Sequence, residues 1–211
     1  MMRVGVLASG RGSNLQALID DARDGAPYEI AVVISNVADA PALDRARRAG
    51  IPAHWVDHRG RPREAFEADL ARLLREARAD VICLAGFLRI LSPWFVSQFL
   101  GRILNIHPSL LPAFGGPGLI GMRVHEAVLA AGVRETGCTI HQVDETVDGG
   151  PIVAQAIVPV RPGDTPEILA ERVAREEHRL YPHVVRSIAE GRLRVAGLQV
   201  SGEVGSGVMS E

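Results

Sequence analysis

The sequence predicts an α/β chain: a doubly wound, mostly parallel sheet of the kind that carries helices on both faces. Three observations carry that reading. Short runs rich in Val, Ile and Leu alternate with stretches whose apolar residues recur at helical spacing. One run, residues 81–85 (Val-Ile-Cys-Leu-Ala), is apolar throughout, as a strand covered on both faces requires. The chain is 47% hydrophobic but only 4% aromatic, which suits a core of Val, Ile, Leu and Ala.

Residues 3–8 form the first strand and end in Ser9-Gly10-Arg11-Gly12-Ser13-Asn14. Leu15, Leu18 and Ile19 follow at helical spacing, giving strand, glycine-rich turn and helix. Such a turn lets backbone N–H groups approach an anion where the helix dipole favours negative charge. Ser13 or Asn14 can cap the helix and also donate to a phosphate oxygen. Leu15 stands where a dinucleotide fingerprint has its third glycine, so the pattern leaves both a phosphate cradle and an ordinary capped turn open.

Residues 28–35 read as the second strand, 42–49 as a helix closed by Gly50, and 53–56 as a brief strand near an edge. His54, Asp57 and His58 flank that strand as scattered polar residues rather than metal ligands. Residues 63–78 are amphipathic, with Phe66, Leu70, Leu73 and Leu74 on one face and charge opposite. Arg63 stands at the start of this helix, placed to point back across the top of the sheet. After the apolar strand comes Gly86-Phe87-Leu88-Arg89-Ile90-Leu91. It is either a core-packing loop or an apolar wall for a ring, with backbone groups for the ring's polar edge. Residues 93–100 form a short helix.

The chain is organised around Asn105-Ile106-His107-Pro108-Ser109-Leu110-Leu111-Pro112. Asn105 and His107 lie two residues apart, on one side of the chain if it is still extended. Both are poor strand-end residues unless they have partners or a task. Asp148, ahead of Gly149-Gly150-Pro151, offers a carboxylate. Ligands of doubly wound sheets gather at the carboxyl ends of the strands, and the turn 10–14, the loop 86–91 and the motif 105–112 all fall there. Residues 113–123 are glycine-rich and read as a mobile loop, and 124–131 as a helix stopped by Gly132. His125-Glu126 lacks a second His at zincin spacing and is given no metal role. Strands 137–143 and 152–158 enclose an acidic loop, and Thr165 caps a long helix over 166–190 with Pro at its first position. Residues 1–194 are expected to form one domain, and the Gly- and Ser-rich residues 195–211 a disordered tail.

A formal net charge of −2, from 23 basic and 25 acidic residues, argues against a nucleic-acid binder dominated by phosphate contacts. Cys83 and Cys138 both sit in apolar runs and read as buried thiols. No segment approaches the roughly 18 apolar residues of a membrane span, and the chain opens without a leader pattern, so it reads as cytoplasmic.

The segments SGRGSNLQALI, LAGFLRILSP, LNIHPSLLPAF, HQVDETVDGGP and REEHRLYP together resemble the phosphoribosylglycinamide formyltransferases, the folate-dependent formyl-transfer enzymes of purine synthesis. The resemblance runs from about Arg3 to Arg194. It implies a catalytic trio of Asn105, His107 and Asp148. It implies that Gly12, Ser13 and Asn14 hold the phosphate of glycinamide ribonucleotide, with Pro108 and Glu177 also on that substrate. Arg63, Leu88, Arg89, Ile90, Leu91 and Asn105, with Asp144, Glu145, Thr146, Val147 and Asp148, would enclose the co-substrate 10-formyltetrahydrofolate. The implied partners are small-molecule substrates, without nucleic acid, membrane or metal, in a monomer or homodimer. Relatives often carry a basic or aromatic residue near Pro117 and Ile120, and polar ones at Ala113 and Ala174. Here those positions supply neither charge nor ring.

Formyl transfer requires a neutral amine to attack a formamide carbon and a new oxyanion to be stabilised. The Asn105 N–H and a His107 imidazolium suit that oxygen, with Asp148 raising the His107 pKa and relaying protons. His141 reads as a strand residue facing the cleft. The rival readings are a formyltetrahydrofolate hydrolase, with water replacing the amine, and a non-catalytic nucleotide-binding module. A structural Asp148 that only caps its turn also remains open.

Overall fold

The computed structural model describes residues 1–196 and 199–202; the side chains of 195 and 196 are not among those described. In chain order the elements are β1 (Met2–Leu7), α1 (Ser13–Arg23), β2 (Tyr28–Ser35), α2 (Pro41–Arg48), β3 (Ala53–Trp55) and α3 (Arg63–Glu76). There follow β4 (Val81–Leu84), α4 (Pro93–Gln98), β5 (Ile103–His107), α5 (Met122–Ala130), β6 (Glu135–Gln142), β7 (Ile152–Pro159) and α6 (Pro166–Ala189). A final hairpin pairs β8 (Leu193–Ala196) with β9 (Gln199–Gly202).

Seven strands form one sheet in the order β3-β2-β1-β4-β5-β6-β7. β1 pairs in parallel with β2 and β4, and β2 with β3, while β6 and β7 run antiparallel. The reversal between β4 and β3 about β1 is the doubly wound pattern that the alternation of strands and helices predicts. The antiparallel pair follows from the connection: the β6–β7 loop is too short for a helical crossover.

The chain divides into two compact units, Met1–Leu104 and a second beginning at Asn105. In the first, Val4, Val6, Val33, Ile34, Ile82 and Cys83 are buried in the strands, against Leu15, Leu18, Leu43, Leu70 and Leu74 from α1, α2 and α3. In the second, α6 packs on β6, β7 and α5. It buries Leu169, Val173, Leu180, Tyr181, Val184 and Val185 beside Cys138, Ile140 and Val158. Both cysteines are buried in these cores and neither is part of a disulfide. Thr165 caps α6 through its side-chain oxygen, which accepts from the Ile168 N–H, and Pro166 opens the first turn.

One expectation needs correction. The disordered tail expected from residue 195 instead begins as paired structure, because β9 satisfies the backbone groups of β8 by antiparallel pairing. Residues 197, 198 and 203–211 of that expected tail lie outside the described residues. Among the described residues, no helix is long and apolar enough to cross a membrane.

Candidate active site

β5 remains extended through His107, so Asn105 and His107 share one face while Ile103, Leu104 and Ile106 are buried. The chain then turns, and the turn is fastened to the strands of its own unit. Thr139 Oγ1 donates to the Ser109 carbonyl at 2.7 Å and accepts the Leu111 N–H at 3.0 Å. Gln155 Nε2 donates to the Leu111 carbonyl at 3.0 Å, and Ser109 Oγ to the Ala113 carbonyl at 2.6 Å. These bonds return the Phe114 carbonyl to His107, whose Nε2–H donates to it at 2.9 Å. Its partner therefore assigns the tautomer of His107: Nε2 carries the proton and Nδ1 keeps the lone pair.

That Nδ1 faces Asp148 Oδ2 at 3.5 Å, and Asp148 Oδ1 lies 3.6 Å from His141 Nε2. Asp148 has φ 55°, and its Oδ2 accepts the Gly116 N–H at 3.0 Å. Two residues on, a Cβ at Gly150 would run into the Gln142 carbonyl oxygen, so only glycine lets the chain close here. That same carbonyl accepts from His141 Nδ1–H at 2.8 Å. His141 Nε2 consequently holds a lone pair when the ring is neutral, and Asn105 Nδ2 donates to it at 3.1 Å. The sequence-predicted trio of Asn105, His107 and Asp148 is thus one cluster, closed by a fourth member, His141.

Electrostatics within the cluster follow from burial and charge. His107 is only 4% exposed. Burial lowers its pKa and outweighs the raising effects of the Asp148 charge and the Phe114 hydrogen bond, with His141 lowering it further. Asp148 does pull the His107 pKa upward, as expected, but burial is the larger effect and the net shift is downward. For Asp148, burial is the largest effect and opposes ionisation, yet the facing His141, the bond from the Gly116 N–H and the nearby His107 together hold it below the usual carboxylate range. The resting cluster is a neutral His107 beside an ionised Asp148.

Residues 144–148 begin with a tight turn in which Asp144 Oδ1 accepts the Thr146 N–H at 2.8 Å and its hydroxyl at 2.5 Å. Glu145, Thr146 and Val147 are exposed. The glycine-rich segment read as a mobile loop is anchored near its start through Phe114 and Gly116. Glu177 is half-buried on α6. Burial, then Glu177 and Glu176, push the Cys138 thiol far up.

In the first unit Gly12, with φ 72°, is the N-cap of α1 and no side chain caps it, so Ser13 and Asn14 open the first turn and neither caps the helix as expected. A Cβ there would sit 2.8 Å from Ala42 Cα and Cβ. α2 grips the turn further, through Ala42 N–H to the Gly10 carbonyl at 3.2 Å and Arg45 Nε to the Arg11 carbonyl at 2.8 Å. Gly12→Ala is expected to cost about 2–3 kcal/mol through left-handed strain and this collision, lowering Tm by about 4–12 °C. An unchanged melting curve would mean that α2 yields freely.

The loop after β4 carries Leu88, Arg89 and Ile90 exposed, with Leu91 buried. Arg63 donates to the Ile90 carbonyl, so the arginine and the loop are brought together. Ser9 Oγ accepts the Leu88 N–H at 2.8 Å and donates to Asn36 Oδ1 at 2.6 Å, and His58 stands beside Asn36. A surface cleft of about 360 Å³ elsewhere in this unit, lined by Gln16, Arg23, Arg45 and Arg48, contains none of the expected site residues.

Sequence reasoning gave Ser9 and Glu67 no role and read His141 only as a strand residue facing the cleft, without its place in the cluster. The signals were a histidine beside an acidic loop, a serine directly after β1, and an acid on the apolar face of α3. His125, given no metal role in the sequence, is buried on α5 with Nδ1 unbonded. Burial, with the nearby His107, lowers its pKa.

A paired imidazole and carboxylate next to an amide can move protons at a carbonyl centre and hold its oxygen. The sequence profile of formyl transferases matches residues 2–185. The chain belongs to the formyl transferase family. Its Escherichia coli relative, a phosphoribosylglycinamide formyltransferase, is 45% identical over 92% of this chain and 90% of its own. The trifunctional purine biosynthetic protein adenosine-3 of Drosophila pseudoobscura is 51% identical over 91% of this chain, but the chain spans only 14% of that protein's length. A crystal structure of glycinamide ribonucleotide transformylase 1 from Symbiobacterium toebii matches with a TM-score of 0.88 at 50% identity, covering 95% of this chain and 93% of that one. Its mostly parallel sheet is the architecture of that family.

Proposed function

We propose that the enzyme transfers the formyl group of 10-formyltetrahydrofolate to the amine of glycinamide ribonucleotide, in cytoplasmic de novo purine biosynthesis. The observation that carries this reading is the closed cluster of Asn105, His107, His141 and Asp148, in a chain whose full-length relatives bear that activity in their names.

The amine nitrogen attacks the formyl carbon, a C–N bond forms, and the carbonyl oxygen becomes an oxyanion. The bond from carbon to the folate N10 then breaks, and the amine's proton ends on N10. Asn105 supplies an N–H to the oxyanion, held in orientation by its bond to His141. His107 Nδ1 is neutral at rest and accepts the proton released by the attacking amine. The imidazolium so formed lies against Asp148, and its Nδ1–H then stabilises the oxyanion and returns the proton to N10, directly or through water. Gly12, Ser13 and Asn14 hold the phosphate at the start of α1, where N–H groups lack helical acceptors. Pro108 and Glu177 complete the ribonucleotide's contacts. Arg63, Leu88, Arg89, Ile90 and Leu91, together with Asp144, Glu145, Thr146 and Val147, enclose the folate.

The deciding assay follows conversion of 10-formyltetrahydrofolate by the purified enzyme, with and without glycinamide ribonucleotide. Turnover is expected only when the ribonucleotide is present. Equal turnover in water alone would move the assignment to a hydrolase, and saturable binding without turnover to a nucleotide-binding module.

A further inference from the structure

Glu67 lies on the inner face of α3 among Phe66, Leu70 and Leu74, and is 1% exposed. A carboxylate there is costly unless its oxygens are filled. They are filled by the loop that follows β4. Oε1 accepts the Ser92 N–H at 2.8 Å and Arg63 Nε at 3.2 Å, and Oε2 accepts the Ser92 hydroxyl. Ser92 Oγ in turn accepts the Phe95 N–H at 3.2 Å and so caps α4. Arg63, held by Glu67, donates on to the Ile90 carbonyl. At the loop's other end, Ser9 Oγ accepts the Leu88 N–H.

The loop is therefore fastened by its backbone at Leu88, Ile90 and Ser92, while the side chains of Leu88 and Ile90 remain 60% and 62% exposed. With the backbone held in place, these two exposed apolar side chains offer a surface against which a flat apolar group could pack. We infer that Glu67 is a positioning residue: its buried carboxylate, through Arg63 and Ser92, sets the 88–92 loop in its ligand-ready form before the folate co-substrate arrives. This rests on the assignment of that loop to the folate.

The role predicts a split in kinetics. With Glu67→Leu, Ser92 and Arg63 lose their acceptors and the loop populates other conformations. If the competent fraction falls to about a tenth, the KM for 10-formyltetrahydrofolate rises about tenfold. The kcat and the ribonucleotide KM should stay within about twofold of the parent. Glu67→Gln should recover much of the loss, because its carbonyl oxygen still accepts the Ser92 N–H. Hydrogen exchange at Leu88 and Ser92 should quicken in Glu67→Leu. Ser92→Ala, which removes one donor and leaves α3 intact, should give a smaller rise in the same KM and decides the matter if Glu67→Leu does not fold.

Ile90→Asp separates the two layers of the argument. If it raises the folate KM while Glu67→Leu and Ser92→Ala do not, the positioning role is overturned and the folate assignment stands. If Ile90→Asp leaves the folate KM unchanged, the assignment of the loop fails and the role built on it falls too. Faster exchange accompanied by an equal rise in both KM values would reduce Glu67 to general structural support.

Discussion

His107→Ala should lower kcat about 10²- to 10⁴-fold, the range that a positioned acid–base group contributes, while the ribonucleotide KM changes by less than about threefold. The substitution removes an imidazole that a backbone bond on its Nε2 fixes with the Nδ1 lone pair toward Asp148. The ribonucleotide's phosphate is assigned to Gly12, Ser13 and Asn14, on a loop after a different strand, so ground-state affinity should persist. The parent enzyme should also show an acidic limb in kcat/KM. Burial depresses the His107 pKa, so the neutral, proton-accepting form persists to a pH below 6.5, the ordinary histidine value. As pH falls through the depressed pKa, the ring is protonated in the free enzyme and the rate is lost. A midpoint at or above 6.5 would contradict a neutral resting His107, and unchanged turnover in His107→Ala would remove the residue from the mechanism.

Asp148→Asn should reduce kcat by about 10²- to 10³-fold. Asparagine tolerates the left-handed backbone of this position, and its carbonyl oxygen can still accept the Gly116 N–H, so the loop should keep its form. What disappears is the negative charge beside the imidazolium that forms during the reaction. The sign of the pH effect is fixed by the same charge. Asp148 raises the His107 pKa against the larger effect of burial, and without it the pKa falls further. The acidic limb should therefore move to still lower pH as the plateau drops. A limb that moves upward, or a plateau at the parent level, would return Asp148 to a turn-capping role, with Gly116 as its partner. Rate measured from pH 4.5 to 8 in both proteins decides between these.

Much of the fold was legible because its signals are local. The period of apolar residues marked β2, α3 and β4 near their observed bounds, and Thr165-Pro166 marked the start of α6. The cluster at Asn105, His107 and Asp148 was partly legible, since two polar residues at a buried strand end need a reason to be there. The direction of the His107 shift was not, because desolvation depends on what covers the ring and no spacing reports that. His141 shows the same gap. In the sequence it is one polar residue in a strand, and only the Gln142 carbonyl on one nitrogen and Asn105 on the other give it a place.

Glu67 and Ser9 were illegible for a related reason. A lone acid on an amphipathic helix and a serine after a strand are commonplace, and their importance lies in partners 25 and 79 residues away. The antiparallel turn of β7 and the β8–β9 hairpin likewise depend on which backbone groups find one another. By itself the sequence determined the alternation of strands and helices, the residues available for chemistry and the family to which they belong, because periodicity, turn residues and motifs act over a few positions. The tertiary structure alone decided which nitrogen of His107 is free, that burial outweighs the Asp148 charge, and that a buried carboxylate holds the loop after β4. Those outcomes are set by hydrogen bonds and desolvation between segments far apart in the chain.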